Sequence, residues 1–255
     1  MYTSATVPTE YNDIAEQYRS SKQVPWRFHI EQYSLFDVLG DVQGLDVLDL
    51  ACGEGHYTRL HKALAAGRVV GVDLSSRMIE LARQTEQEQP LGVEYQCADA
   101  RDVNFARRFD VVTAAYLLNY ARSKDELLAM CQAVSRCLKP GGRFVTVNNN
   151  PAQSIAAFES TRKYGFIKIA NTGTGMPDGT PLRYRLFLDN DAFEIENYHL
   201  SVATHEAAFA EAGLSGVRWH SMKLSPQEAA GPNRGYWEDF FVEPPVVLIE
   251  ARAEP

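Results

Sequence analysis

The stretch Val47-Leu48-Asp49-Leu50-Ala51-Cys52-Gly53-Glu54-Gly55 decides the fold. A short apolar run enters a turn built on two glycines, and a helical pattern follows over 56–66. A strand of an open parallel sheet passes in this way into the helix that crosses to the next strand. Working outward, strands are expected over 45–50, 69–72, 93–97, 109–114 and 143–147, with helices over 76–89 and 124–138 among them. Ser123, with Glu126 three residues on, has the pattern of a capping box at the start of the last helix. Lys139-Pro140-Gly141-Gly142 ends that helix, because proline cannot continue it and glycine accepts the left-handed turn.

After residue 150 the alternation gives way to aromatic, loop-rich sequence, with a turn-forming segment over 171–181 expected as an exposed loop. A helix over 202–212, closed by Gly213, and strands near 217–224 and 246–253 complete the sheet. This order predicts an α/β fold, a Rossmann-like, doubly wound, seven-stranded and mostly parallel sheet. Residues 1–40 are expected to form an N-terminal helical lid, 41–150 a ligand-binding core, 151–200 a cap inserted after the fifth strand, and 201–255 the final helix and strands.

With 255 residues, 45 % of them apolar, and with 12 Phe, 12 Tyr and 3 Trp, the chain has ample material for a packed core. Its 25 basic against 33 acidic residues leave a formal charge of −8, and no basic cluster breaks the balance, so a nucleic acid is not the expected partner. The longest nearly apolar stretch, 111–121, is interrupted by Thr113 and Asn119 and falls short of the ~20 residues a membrane span needs. The opening Met1-Tyr2-Thr3-Ser4 lacks the basic-then-apolar order of a secretory signal, and a cytoplasmic protein is expected. Cys52, Cys97, Cys131 and Cys137 have no zinc or redox spacing and read as small buried apolar residues.

Ligands of open parallel sheets bind beyond the carboxyl ends of the strands. Three acids stand there: Asp49 on the first strand, Asp73 ending the second and Asp99 ending the third. Asp73 follows Gly53 by 20 residues, the spacing at which an acid accepts hydrogen bonds from ribose hydroxyls, and Asp99 can meet an adenine amino group. A nucleoside is therefore expected. NAD fits poorly, because its fingerprint wants a third glycine where Thr58 stands and because Asp49 would repel a pyrophosphate. A carboxylate at that place suits a ligand that carries a cationic amine.

These residues, followed by Gly71-Val72-Asp73-Leu74-Ser75, Cys97-Ala98-Asp99-Ala100, Phe109-Asp110-Val111-Val112 and Leu138-Lys139-Pro140-Gly141-Gly142, resemble the class I S-adenosylmethionine-dependent methyltransferases over residues 10–150. The pattern Tyr11-Asn12-Asp13-Ile14-Ala15-Glu16-Gln17-Tyr18, with Gly235-Tyr236-Trp237-Glu238-Asp239-Phe240, resembles small-molecule enzymes of the toxoflavin-biosynthesis kind. The resemblance implies S-adenosyl-L-methionine as cofactor and S-adenosyl-L-homocysteine as product. It places Asp49, Ala51 and the backbone of Gly53 and Gly55 near the methionine part, Asp73 on the ribose, and Leu74 and Met78 against the adenine. Asp99 and the Ala100 backbone would bind the adenine edge, and Ala115 with Tyr116 would face the sulfonium. Tyr11 or Tyr18 would close over the cofactor, and Arg27 would take its carboxylate. Met78 has helix packing as its alternative, and Tyr11, Tyr18 and Arg27 have ordinary helix contacts as theirs.

Methyl transfer from a sulfonium demands alignment more than catalytic side chains. Where the acceptor carries a proton, a base helps, and the histidines are His29, His56, His61, His199, His205 and His220. His29 and Tyr116 are the candidates taken forward as catalytic. The cap rings Phe158, Tyr164, Phe166, Tyr184, Phe187, Phe193 and Tyr198, with Tyr236, Trp237, Phe240 and Phe241, fit either a planar aromatic or heteroaromatic acceptor or a second core. Strand four ends in Ala114-Ala115-Tyr116 rather than an acid, so no metal is expected. The expected function is transfer of a methyl group to N or O of a small natural-product metabolite. The competing readings are a non-catalytic S-adenosylmethionine-binding regulatory module and an NAD-dependent oxidoreductase. The sequence does not fix the oligomeric state.

Overall fold

The computed structural model describes residues 17, 18, 22, 24–173, 175–188 and 192–254. A π-helical stretch, Arg27–Gln32, runs into α1 (Tyr33–Leu39). Then follow β1 (Val47–Leu50), α2 (His56–Ala63), β2 (Val69–Asp73), α3 (Ser76–Glu88), β3 (Glu94–Cys97), β4 (Phe109–Ala115), α4 (Lys124–Cys137) and β5 (Leu138–Asn149). The sheet order is β3-β2-β1-β4-β5-β10-β9, seven strands, with β10 (Val246–Ala253) antiparallel to both β5 and β9 (Leu214–His220). The neighbours β3-β2-β1-β4-β5 are all parallel. Strand order reverses between β1 and β4, which opens a crevice at their carboxyl ends.

Both faces of the inner strands β1, β2 and β4 are covered, which is why they read as near-continuous apolar runs, while the edge strand β3 is largely exposed. Val47, Val69, Val111 and Val145 pack on one face with Leu35 and Leu39 of α1 and Met78 of α3. Leu48, Leu50, Val70, Val112 and Phe144 pack on the other with Leu127 and Val134 of α4 and Phe209 of α5 (Val202–Glu211). The cap is a second, antiparallel sheet of β6 (Phe166–Ile169), β7 (Thr180–Phe187) and β8 (Ala192–His199). Its inward positions alternate as a half-buried sheet requires, with Leu182, Tyr184 and Leu186 on β7 and Phe193 and Ile195 on β8 joining the first core. Buried Lys168 fastens the cap to the main sheet by donating to Asn149 Oδ1 and to the Pro245 carbonyl.

Several boundaries differ from the sequence expectation. The extended path of β5 begins at Leu138, so Lys139-Pro140-Gly141-Gly142 both ends α4 and bulges the start of a strand. The strand expected near 217–224 is β9, Leu214–His220, because beyond it Lys223 turns to exchange hydrogen bonds with Ser34 of α1. The Ser123 side chain accepts the Glu126 amide, but Glu126 reaches back to the Arg122 amide rather than to that of Ser123. All four cysteines are free, and Cys97 corrects the buried expectation: it lies exposed on the edge strand β3. Among the described residues no helix is long and apolar enough to cross a membrane.

Candidate functional site

The turn after β1 carries left-handed backbone at three places: Ala51 (φ 55°), Gly53 (φ 57°) and Gly55 (φ 87°). Tyr116, just after β4, is a fourth (φ 71°). Non-glycine residues in this region are uncommon and cluster where the surrounding structure fixes them for a purpose. Two of the five such residues among those described, Ala51 and Tyr116, wall one cleft. The Gly53 amide donates to Asp73 Oδ2 and the Ser75 amide to Asp73 Oδ1, each at 2.8 Å, which ties the β1 turn to the end of β2. Burial raises the Asp73 carboxyl above its ordinary value against the pull of these two amides.

The cleft encloses about 1190 Å³ across the strand ends. Ala51, Gly53, Asp73, Leu74, Met78, Asp99, Ala100, Ala115, Tyr116 and Tyr18 all line it. Leu74 leaves 43 % of its surface bare at the rim, an apolar face waiting for a flat partner. Asp99 is held by Arg101, whose guanidinium meets both carboxylate oxygens, and this pulls its carboxyl below the ordinary range although burial opposes it.

A smaller chamber of about 280 Å³ opens beside the cleft, walled by Tyr18, Lys22, Arg27, Asp49, Ala51, Cys52, Tyr57, Ala115 and Tyr116. Asp49 is 2 % exposed, and its two oxygens accept the hydroxyls of Thr58 at 2.7 Å and Thr113 at 3.0 Å. Burial outweighs these hydrogen bonds and pushes its carboxyl up to about 6. Lys22, in the chamber wall, pairs with Glu54 at 3.4 Å. Arg27 gives Nη1 to both Glu31 oxygens at 2.9 Å while its buried Nε has no partner. One carboxylate facing two cations is the donor and acceptor set that an amino-acid zwitterion requires.

A third cavity, about 400 Å³, lies under the cap between Tyr18, Trp26, Arg27, Tyr116, Tyr120, Phe166, Tyr184, Leu186, Ile195 and Asn197. Tyr18 and Tyr116 wall all three spaces, so the three meet there. Of the expected aromatic faces, Phe166 and Tyr184 border this cavity. Tyr164 instead stacks on Trp237 and meets Phe240 edge-on, all three as core.

The structure does not bring every expected residue to the site. His29 lies away from all three cavities: it sits against Trp237 and Ser225, with Glu228 at 3.9 Å. Arg27 and Glu31 share the inward face of the π-helical turn, which sends His29, midway between them, to the opposite side. Gly55 is also absent from the cleft wall. A Cβ there would overlap the Tyr95 hydroxyl, so its glycine answers to packing against Tyr95. Tyr11 lies outside the described residues. Of the other histidines, His56 meets Gln32, His61 Thr113, His205 Asn148 and His220 Glu250. Sequence reasoning missed Lys22, Glu31, Tyr57, Tyr120 and Asn197. An Arg27/Glu31 pair at helical spacing among apolar residues was the available signal for Glu31.

Residues 47–142 match the family described as "Methyltransferase domain". Among curated proteins, the demethylmenaquinone methyltransferase of Lactococcus lactis is 35 % identical over 116 residues, covering 44 % of this chain and 45 % of its own length. The ubiquinone/menaquinone biosynthesis C-methyltransferase UbiE of Desulfotalea psychrophila is 38 % identical over 188 residues, covering 72 % and 63 %. The chain thus spans less than half the length of the first of these relatives. An S-adenosylmethionine-dependent methyltransferase from Mesorhizobium loti superposes with a TM-score of 0.61 at 22 % identity, covering 87 % of this chain and 97 % of that one. Fold and family match point the same way: the chain has the class I S-adenosylmethionine-dependent methyltransferase fold, and residues 47–142 match the methyltransferase domain family. The cofactor of that class is S-adenosylmethionine, and the bare Leu74 face, the zwitterion-matched chamber and the orphaned Arg27 Nε fit it.

Proposed function

We propose that the protein methylates a small, planar aromatic or heteroaromatic metabolite on N or O, with S-adenosylmethionine as donor. The observation that carries this is the meeting of three cavities at Tyr116: a nucleoside-sized cleft, a zwitterion-matched chamber and an aromatic chamber. In this reading Asp73 takes the ribose, Leu74 and Met78 flank the adenine, and Asp99 with the Ala100 backbone meets its edge. Asp49 takes the ammonium, and Arg27 and Lys22 face the carboxylate. The cofactor supplies a methyl group on a positively charged sulfur. Tyr18, Ala115 and Tyr116 exclude water at the junction, and the chamber walls hold the acceptor in line, which is where most of the rate enhancement of a displacement arises. The curated relatives, named for ubiquinone and menaquinone biosynthesis, support a small-molecule acceptor.

Calorimetric titration with S-adenosylhomocysteine tests the donor site. The wild type binds, and Asp73→Ala binds at least tenfold more weakly, because the carboxylate both accepts the ribose hydroxyls and fixes the Gly53 turn. No binding by the wild type ends the proposal. Incubation with labelled donor and a panel of phenols and indoles tests transfer.

A further inference from the structure

Glu31 is wholly enclosed, and three groups donate to its carboxylate: Arg27 Nη1 at 2.9 Å, Tyr57 Oη at 2.5 Å and Tyr116 Oη. Tyr116 Oη donates to Glu31 Oε2, so the Tyr116 hydroxyl hydrogen is committed to Glu31. What Tyr116 Oη can offer a ligand is its remaining lone pair. The Tyr116 backbone is held at φ 71°, and its amide donates to the Val147 carbonyl at 2.8 Å, which fixes where the ring starts from. Burial, with Glu31 beside it, holds the phenol far above its ordinary value, so it stays a neutral hydroxyl.

We infer that Glu31, acting through Tyr116, makes the chamber under the cap selective for acceptors that still carry a proton on the atom to be methylated, phenols and N–H heteroaromatics. The inference rests on the methyltransferase reading above. Trp26, Phe166 and Tyr184 supply flat faces for the ring, and the atom beside Tyr116 Oη must donate to it. An ether or an N-alkylated ring brings a lone pair or a methyl group against a lone pair instead. The arrangement therefore also disfavours the methylated product. During transfer the acceptor's proton moves to Tyr116 Oη as the Tyr116 proton moves to Glu31. The electron pair left on the acceptor atom forms the bond to the methyl carbon, and the pair of the broken carbon–sulfur bond stays on sulfur. Glu31 is a positioning residue here: it touches neither ligand and acts only through Tyr116, by setting which way its hydroxyl points and by taking its proton.

The test measures binding of 2-naphthol and of its ether 2-methoxynaphthalene to protein saturated with S-adenosylhomocysteine, with the affinity ratio taken within each variant. The wild type is expected to prefer the phenol at least tenfold. Tyr116→Phe removes the acceptor, and the ratio falls to within about twofold of one. In Glu31→Gln the amide donates to Tyr116 Oη and turns the Tyr116 hydrogen toward the chamber, so the ratio again falls toward one; loss of packing alone would weaken both ligands together. Equal binding of the pair by the wild type, binding of neither, or a preference that survives Tyr116→Phe overturns the inference and leaves the donor site standing. Failure of S-adenosylhomocysteine to bind overturns the methyltransferase reading and the inference with it.

Discussion

Asp49→Asn separates what the buried acid costs the fold from what it gives the site. The carboxyl rises from 3.8 to about 6 on folding, a shift of roughly two units, or about 3 kcal/mol at 1.36 kcal/mol per unit. Because its folded value lies above its unfolded one, the folded state holds the proton more tightly. Stability is therefore greatest below the unfolded value near 4, falls as pH rises through about 6, and is level above that. An asparagine keeps the two threonine contacts, accepting one hydroxyl through its oxygen and donating to the other through its amide. The variant is expected to match the wild type at pH 4 and to exceed it at pH 8 by up to about 3 kcal/mol. Urea unfolding at both pH values reads this directly. The same variant loses the partner for an ammonium, and S-adenosylhomocysteine affinity at pH 8 is expected to drop about thirtyfold or more, equivalent to about 2 kcal/mol. A variant destabilised equally at pH 4 and pH 8 refutes the electrostatic reasoning, and unchanged affinity refutes the assignment of Asp49 to the ammonium.

Two further outcomes follow from packing. Gly55→Ala forces a left-handed alanine whose Cβ collides with the Tyr95 ring, so thermal or urea unfolding should show a loss of about 2 to 4 kcal/mol, with part of it recovered when Tyr95→Ala is added. In native protein a thiol-specific reagent should modify one cysteine rapidly, Cys97, and all four after denaturation. Burial shields the other three and raises their thiols above the ordinary value. Rapid reaction of two or more native thiols contradicts the packing of α4 and the β1 turn.

The inner strands β1, β2 and β4 were legible because each carries its own signal. A fully buried strand needs an unbroken apolar run whatever its neighbours do, and Val246–Ala253 and the start of α2 at His56 fall where expected. The site acids were legible for a related reason, since their places at the strand ends follow from topology alone. What depended on remote partners was not legible. The face of the π-helical turn that points inward is set by Tyr57 and Tyr116, 26 and 85 residues from Glu31. Sequence reading could thus select His29 and overlook Glu31. Gly55 read as room for a ligand, whereas the path of β3 makes it room for Tyr95. The limits of β9 depended in the same way on Ser34, 189 residues from Lys223.

A crystal structure with S-adenosylhomocysteine puts the whole account at risk in one experiment. The account predicts the nucleoside across the carboxyl ends of β1, β2 and β3, its ribose hydroxyls on Asp73 and its ammonium within hydrogen-bonding distance of Asp49, with the sulfur turned toward Tyr116. An amino-acid moiety lying outside the Asp49 chamber, or a nucleoside bound anywhere else on the molecule, would contradict it.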